Sequence, residues 1–171
     1  MIDTVNICHY ESPVGELILG AYGDTLCLCD WMNEKRRVVI DRRICSLLNV
    51  SFEYGFTEVT MLAIRELDEY FNRKRCNFDI PLTFAGTSFQ KMVWNRMLSI
   101  PYGSTITYSE MSAELGIAGS VRAVASAIGA NAISIFAPCH RIIGVNNKLV
   151  GYAGGLSAKQ YLLSLESAIS R

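Results

Sequence analysis

Residues 107–129 read TYSEMSAELGIAGSVRAVASAIG, and this stretch decides the fold of the second half of the chain. Thr107 and Glu110 fit a T-x-x-E capping box, in which each side chain bonds the other residue's backbone N–H and opens a helix. Gly116 supplies the left-handed residue that ends that helix after two turns. A second helix begins around 118–120 and runs to about Gly129. Two short helices across a glycine-containing turn are the sequence form of a helix-turn-helix. The second helix is small and lightly charged: Val121, Ala123, Val124, Ala125, Ser126, Ala127 and Ile128, with Arg122 as its one cation. An alanine-lined helix can approach a DNA backbone closely. It can equally pack against another helix, and these residues alone leave both readings open.

Downstream, Pro138-Cys139-His140-Arg141-Ile142 sets a thiol beside an imidazole, between the apolar run 133–137 and the turn-prone 144–147. Cysteine is a nucleophile only as a thiolate, and an imidazole nearby is a common way to make one. The chain has two histidines, and one directly follows a cysteine. Most thiols are inert, buried small hydrophobes, the reading given to Cys8, Cys27, Cys29, Cys45 and Cys76. Adjacent residues of a regular strand point to opposite faces, so contact between Cys139 and His140 requires a turn or a bridging water. Pro138 makes such a break reasonable, since it fixes its own φ and donates no hydrogen bond. A last helix is expected over 157–168. Glu166 there shares a side with Leu162 and Leu163. A carboxylate among apolar residues needs a partner, and His140 is on offer. The plainer alternative is a solvated glutamate near a chain end.

Upstream the chain changes character. Residues 15–22 and 26–31 read as two strands around the Gly23-Asp24 turn, an antiparallel hairpin in a β-rich first fifty-odd residues. Over 57–72 the apolar residues Val59, Leu62, Ala63, Leu67, Tyr70 and Phe71 follow a helical period. Arg73-Lys74-Arg75 would close that helix with cations where its dipole favours them. Residues 78–82 read as an extended linker, which places a domain boundary near 80–87. Two domains are expected, 1–80 and 86–171. From Ser88 a helix presents Phe89, Met92, Val93, Met97 and Ile100 on one face with Trp94 alongside, and residues 101–104 form a turn.

With 171 residues, half of them hydrophobic, the chain has material for one ample core or two small ones. No apolar run is long enough to span a bilayer, and the first residues lack a signal-peptide pattern. A cytoplasmic, reducing setting is therefore expected, with six thiols and no disulfides. Net charge is zero but unevenly placed. Residues 1–85 hold nine Lys/Arg against thirteen Asp/Glu, and residues 86–171 hold seven against three, so the halves carry −4 and +4. A basic half facing a polyanion fits this division, as do two domains that attract each other.

With these motifs in view, the chain resembles the O6-alkylguanine-DNA alkyltransferases. The resemblance rests on Pro138-Cys139-His140-Arg141-Ile142, Gly151-Tyr152-Ala153-Gly154-Gly155-Leu156 and the Leu-Leu-x-x-Glu of 162–166. It extends upstream through Gly86-Thr87-Ser88-Phe89-Gln90, Val93-Trp94, Ile100-Pro101-Tyr102-Gly103, Thr105, Tyr108, Arg122-Ala123-Val124 and Asn131. It is strong over roughly 60–171. Over 1–57 only Ser12-Pro13-x-Gly15 matches.

The resemblance implies an α+β fold: a ribonuclease H-like α/β N-terminal domain, and a mainly helical C-terminal domain with a winged-helix-like helix-turn-helix. It implies stoichiometric transfer of the alkyl group of O6-alkylguanine, and of O4-alkylthymine as an extension, from double-stranded DNA to Cys139. The protein would be consumed by one reaction, as a monomer with no cofactor and no membrane partner. Catalytic roles fall to Cys139, His140, Glu166, Tyr108 and Asn131. DNA contacts fall to Arg122, Tyr108, Ala123, Ala127, Gly129 and Arg141, with Arg122 entering the stack as the damaged base flips out. Tyr152, Ala153, Gly154 and Ile142 would line the base pocket. The family usually has proline after the hinge asparagine. Here Ala132 follows Asn131, which should loosen that turn slightly. Some members bind structural zinc, but Cys8, His9, Cys27 and Cys29 are not placed like those ligands, so no metal is expected. A damage sensor that does not transfer, or a cysteine hydrolase built on Cys139, His140 and Glu166, are the competing readings.

Overall fold

The computed structural model describes residues 2–167, and these form two compact units dividing between Gly86 and Thr87. In the first unit, strands β1 (Asp3–Ser12), β2 (Gly15–Tyr22), β3 (Thr25–Trp31) and β4 (Val50–Tyr54) make one sheet in the order β3-β2-β1-β4. The first three are antiparallel neighbours, whereas β4 runs parallel to β1. A parallel neighbour cannot be reached by a hairpin, so the chain needs a crossover between β3 and β4. Helix α1 (Glu34–Leu48) supplies it. Helix α2 (Glu58–Phe71) packs against β1, β2 and β3 and buries Ala63, Leu67 and Tyr70 on them. Strands β2 and β3 are buried over nearly their whole length, and unbroken apolar runs are what strands covered on both faces require.

Three sequence expectations need correction in this unit. The β-rich reading of the first fifty-odd residues overlooked α1. That helix starts on Asn33, whose side chain accepts the Arg36 N–H, and ends at Asn49 in the left-handed region at φ 54°. The tripeptide Arg73-Lys74-Arg75 lies beyond α2 and does not cap it. Arg75 instead pairs with Glu69 and Asp79 at 2.7 and 2.9 Å. Residues 78–82 are no free linker: Ile80 is buried, the Leu26 N–H donates to the Pro81 carbonyl, and Leu82 bridges Leu26 in parallel register.

The second unit is mainly helical. Helix α3 (Ser88–Met97) opens on a capping box between Thr87 and Gln90 and buries Val93, Trp94 and Met97. Trp94 belongs to the buried stripe, while Met92, expected there, is exposed. Strand β5 (Ile106–Thr107) leads into α4 (Tyr108–Glu114) through the Thr107–Glu110 capping box, with bonds of 2.7 and 3.1 Å. Gly116 at φ 75° ends the turn after α4, and a 3₁₀ turn (Ala118–Ser120) runs into α5 (Val121–Gly129). Helices α4 and α5 pack together as the expected helix-turn-helix. A short strand β6 (Ile142–Ile143) pairs in parallel with β5, and α6 (Leu156–Ser167) completes the unit. Ala168, at the expected end of that helix, lies outside the described residues.

Candidate active site

Cys139 begins a 3₁₀ turn spanning Cys139–Arg141, directly after Pro138. The turn is the break in extended structure that lets neighbouring side chains serve one site. Cys139 is 7% exposed and His140 is fully buried. The loop that delivers them is tied by Asn131, itself buried. Its side-chain amide donates to the Ala137 carbonyl at 3.0 Å, and its oxygen accepts the Ile133 N–H at 3.0 Å. Between these ties Ile135 holds φ 72°, which for a β-branched residue costs roughly 1–3 kcal/mol and persists only where surrounding bonds over-determine it. Ala132 is accommodated in this loop and is buried.

Glu166 is the hub of the polar cluster. Its buried carboxylate takes the His140 Nε2 bond at 2.7 Å. It also accepts a two-pronged pair from Arg141, Nε to Oε2 and Nη2 to Oε1, both at 2.9 Å. The Gly103 N–H reaches it at 3.3 Å, presented by a turn in which Gly103 adopts φ 76°. Burial alone would raise the Glu166 pKa, but the His140 and Arg141 bonds and charges overcome it and hold the group at about 2. Burial pushes the His140 pKa down despite the opposing pull of Glu166. An ionised carboxylate can only accept, so Nε2 of a neutral His140 must carry the proton. Nδ1 is then a lone-pair acceptor, and this buried atom makes no hydrogen bond to any described protein group.

Tyr108, on the first turn of α4, donates its hydroxyl to the Val150 carbonyl at 3.2 Å. Its pKa is raised, by burial first and by the negative charge of an ionised Cys139 second. That electrostatic coupling puts it in the neighbourhood of the thiol. Tyr152, Ala153 and Gly154 are half-buried in the segment before α6. A cavity of about 330 Å3 borders Glu166, lined by Gly103, Thr105, Ile143, Gln160, Leu163 and Ser164 among others, and the expected base-pocket residues do not line it.

On α5 the exposed face carries Arg122 and Ala123, then Ser126 and Gly129 at three-residue steps from Ala123. Ser126 was not singled out from the sequence, although its spacing from Ala123 and Gly129 marks the same face. Two expected DNA contacts do not fit their placement. Ala127 is buried on the opposite stripe with Val124 and Ile128, and its carbonyl accepts the Trp94 indole N–H at 2.7 Å. Arg141 is 6% exposed, with Nε and Nη2 on Glu166 and Nη1 on the Ile100 carbonyl at 2.6 Å, so its donors are used inside the protein. Ile142 is buried, its N–H donates to the Cys139 carbonyl, and its own carbonyl accepts from Lys159 at 2.6 Å with one lone pair to spare.

Lys159 was missed altogether. It is fully buried, seven residues before Glu166 and on the same buried stripe of α6 as Ala158, Leu162 and Leu165. The signal was available, because a lysine two helical turns from a buried glutamate and next to the leucines shares their face.

Comparison with known proteins supplies the remaining evidence. Residues 88–168 match the family described as 6-O-methylguanine DNA methyltransferase, DNA binding domain, and residues 8–84 match its ribonuclease-like domain. The chain is 40% identical over 159 residues to a methylated-DNA–protein-cysteine methyltransferase of Methanosarcina acetivorans, covering 93% of this chain and 96% of the relative. It is 45% identical over 169 residues to the protein of the same name from Mycobacterium tuberculosis, covering 94% and 93%. Among solved structures, the M. tuberculosis OGT in complex with DNA superposes with a TM-score of 0.80 at 34% identity, covering 96% of this chain and 93% of the other.

Proposed function

The chain belongs to the 6-O-methylguanine DNA methyltransferase family, and on that premise we propose that it repairs DNA by moving the alkyl group of O6-alkylguanine onto Cys139. The observation that carries this reading is the buried His140–Glu166 pair set directly after Cys139 in one 3₁₀ turn, in which an ionised carboxylate fixes the tautomer of a neutral imidazole. This is the nucleophile, base and orienter arrangement of covalent catalysis. His140 Nδ1 takes the thiol proton through a bridging water. The thiolate sulfur then forms a bond to the alkyl carbon as the carbon–O6 bond breaks, and the electron pair leaves with guanine. Guanine takes up a proton at N1 from water while the His140 imidazolium returns the thiol proton to water, so protons balance. Tyr108 donates a hydrogen bond to the ring as charge gathers there. The thioether on Cys139 is stable, so one molecule repairs one lesion.

The exposed face of α5 fits close approach to DNA, with Arg122 filling the space of the flipped base and Ala123, Ser126 and Gly129 lying against the backbone. Tyr152, Ala153 and Gly154 are assigned to the wall of the base pocket, and Asn131 to holding the Cys139 loop. Among the described residues no helix is long and apolar enough to cross a membrane. The thiol-rich first unit suits a reducing compartment, and we place the work of the protein in the cytoplasm, as a monomer.

Intact-protein mass after incubation with excess O6-methylguanine duplex tests the reading. One methyl, about 14 Da, should add and then stop at one equivalent, as a covalent step without release requires. Repair that continues past one equivalent without a mass gain would exclude it, and lesion binding with neither would make the protein a sensor. Arg122→Ala should slow transfer from duplex by about tenfold or more, the scale of one or two kcal/mol of flipping energy. Transfer from free O6-alkylguanine base should be unchanged. Equal slowing on both substrates would remove Arg122 from base flipping.

A further inference from the structure

Lys159 is a buried cation for which the chemistry above has no use. Such a group is expensive to bury, and it survives in a folded protein only where its donors are well matched. Here they are. Nζ donates to the Ile142 carbonyl at 2.6 Å and to the Val150 carbonyl at 3.1 Å, with the Gly151 carbonyl at 3.5 Å. It also stands 5.9 Å from the centre of the Tyr108 ring, within reach of a cation–π contact. Burial lowers the Lys159 pKa, and an ionised Cys139 opposes that shift, so the ammonium and the thiol also feel each other.

The Val150 carbonyl is the informative atom. It accepts Lys159 and also the Tyr108 hydroxyl, at 3.1 and 3.2 Å. A carbonyl oxygen has two lone pairs and accommodates both. Yet the Tyr108 hydroxyl is the group assigned to the departing guanine, so in the free protein its proton points away from that task. To serve guanine it must leave Val150. Val150 is half-buried, and leaving its carbonyl bare carries a penalty that opposes the movement. Lys159 removes that penalty, because Val150 keeps one donor whichever way Tyr108 points.

We propose that Lys159 is a positioning residue for Tyr108: it keeps the Val150 carbonyl satisfied and the adjoining backbone in place, so that the Tyr108 hydroxyl is parked in the free protein and released to the alkylguanine ring. The proposal rests on the alkyl-transfer reading above. It goes beyond that reading by giving the helix α6 lysine a task in the same reaction, exerted through Tyr108 and without contact to the substrate. The exchange moves one hydrogen bond and breaks no covalent bond.

A double-mutant cycle tests it, with single-turnover transfer from O6-methylguanine duplex as the rate. Lys159→Met keeps length and removes the donors. It should slow transfer at least about tenfold in the native background and less than about twofold in a Tyr108→Phe background, because residues acting as a unit are not additive. Lys159→Gln retains an N–H donor without the charge, and should recover part of the rate while Tyr108 is present. Equal slowing by Lys159→Met in both backgrounds, the result of general loosening, overturns the proposal.

A second measurement needs no folded Lys159 variant and no active protein. Tyr108→Phe should leave the melting temperature within about 3 °C of wild type, since Val150 still holds Lys159; any larger fall, the size expected for a bared half-buried acceptor in a chain of this length, overturns the proposal. Absence of any methyl gain in the wild type would count against the alkyl-transfer reading itself, which this melting result does not depend on.

Discussion

Cys139→Ser is expected to abolish alkyl transfer, by on the order of 10⁶-fold, the loss that follows removal of a nucleophile acting as one unit with its base. The argument is chemical, because the substitution is small. A serine hydroxyl fills nearly the same space at a site only 7% exposed, so packing is preserved. The neutral His140 has Nδ1 available as an acceptor, and this suffices to draw off a thiol proton. It does not suffice to generate an alkoxide for attack on a saturated carbon, where no oxyanion-stabilising step helps. Lesion-duplex binding should stay within about threefold of wild type, since the α5 face is untouched and interface substitutions away from contacts are near neutral. Intact mass and a binding titration on the same sample separate the two effects. A serine variant that still gains a methyl would place the acceptor on another residue. A variant that loses binding as well would mean that the thiol also holds the loop from Asn131 to Pro138.

The candidate site was legible in the sequence because each of its residues announces itself locally. Cys139 and His140 are adjacent, the Thr107–Glu110 capping box fixes the start of α4, and Glu166 rides on a leucine stripe that has to be buried. The hairpin of β2 and β3 was legible for the same reason, since strands covered on both faces read as unbroken apolar runs. What stayed hidden depends on partners distant in sequence. Helix α1 reads poorly as a helix because Val38-Val39-Ile40 suggests a strand, and because Val38 and Val39 are exposed while Arg37 is buried against Asp30. Its inward stripe of Arg37, Ile40 and Ile44 emerges only once Asp30, at the end of β3, is known to face it. Arg141 misled for the opposite reason. The resemblance placed it among the DNA contacts, and nothing local reveals that Glu166 and the Ile100 carbonyl take up its donors. Ala127 was misplaced by composition, which shows that α5 is small-sided but not which small side faces inward.

Glu166→Gln should be the most damaging change outside the nucleophile, because one carboxylate serves two buried partners with different needs. Arg141 requires its charge. With glutamine in place, the guanidinium remains nearly inaccessible and keeps only the Ile100 carbonyl and a weaker amide contact. Removing one member of a buried ion pair costs about 3–5 kcal/mol, because the other is left uncompensated. His140 requires the acceptor. If the glutamine oxygen turns to Arg141, its NH₂ faces Nε2 and drives the imidazole proton to Nδ1, the atom that has to receive the thiol proton. Transfer should therefore fall by about 10²–10⁴-fold, the range for loss of general base catalysis, even at temperatures where the variant is fully folded. Acid titration separates the two effects. The wild-type carboxyl sits at about 2, below the roughly 4.3 of an unfolded glutamate, so its stabilisation is complete above pH 4.3 or so and drains away as pH falls toward 2, by about 3 kcal/mol. His140, with its pKa depressed by burial, adds a loss that begins below about pH 6.5, because only the unfolded state then takes up its proton. In Glu166→Gln the lower of these two windows should vanish from a plot of denaturant midpoint against pH, while overall stability drops. An unchanged slope between pH 4.3 and 2 would show that the Glu166 carboxylate is not the ionised hub of the site, and the fixed tautomer of His140 would fall with it.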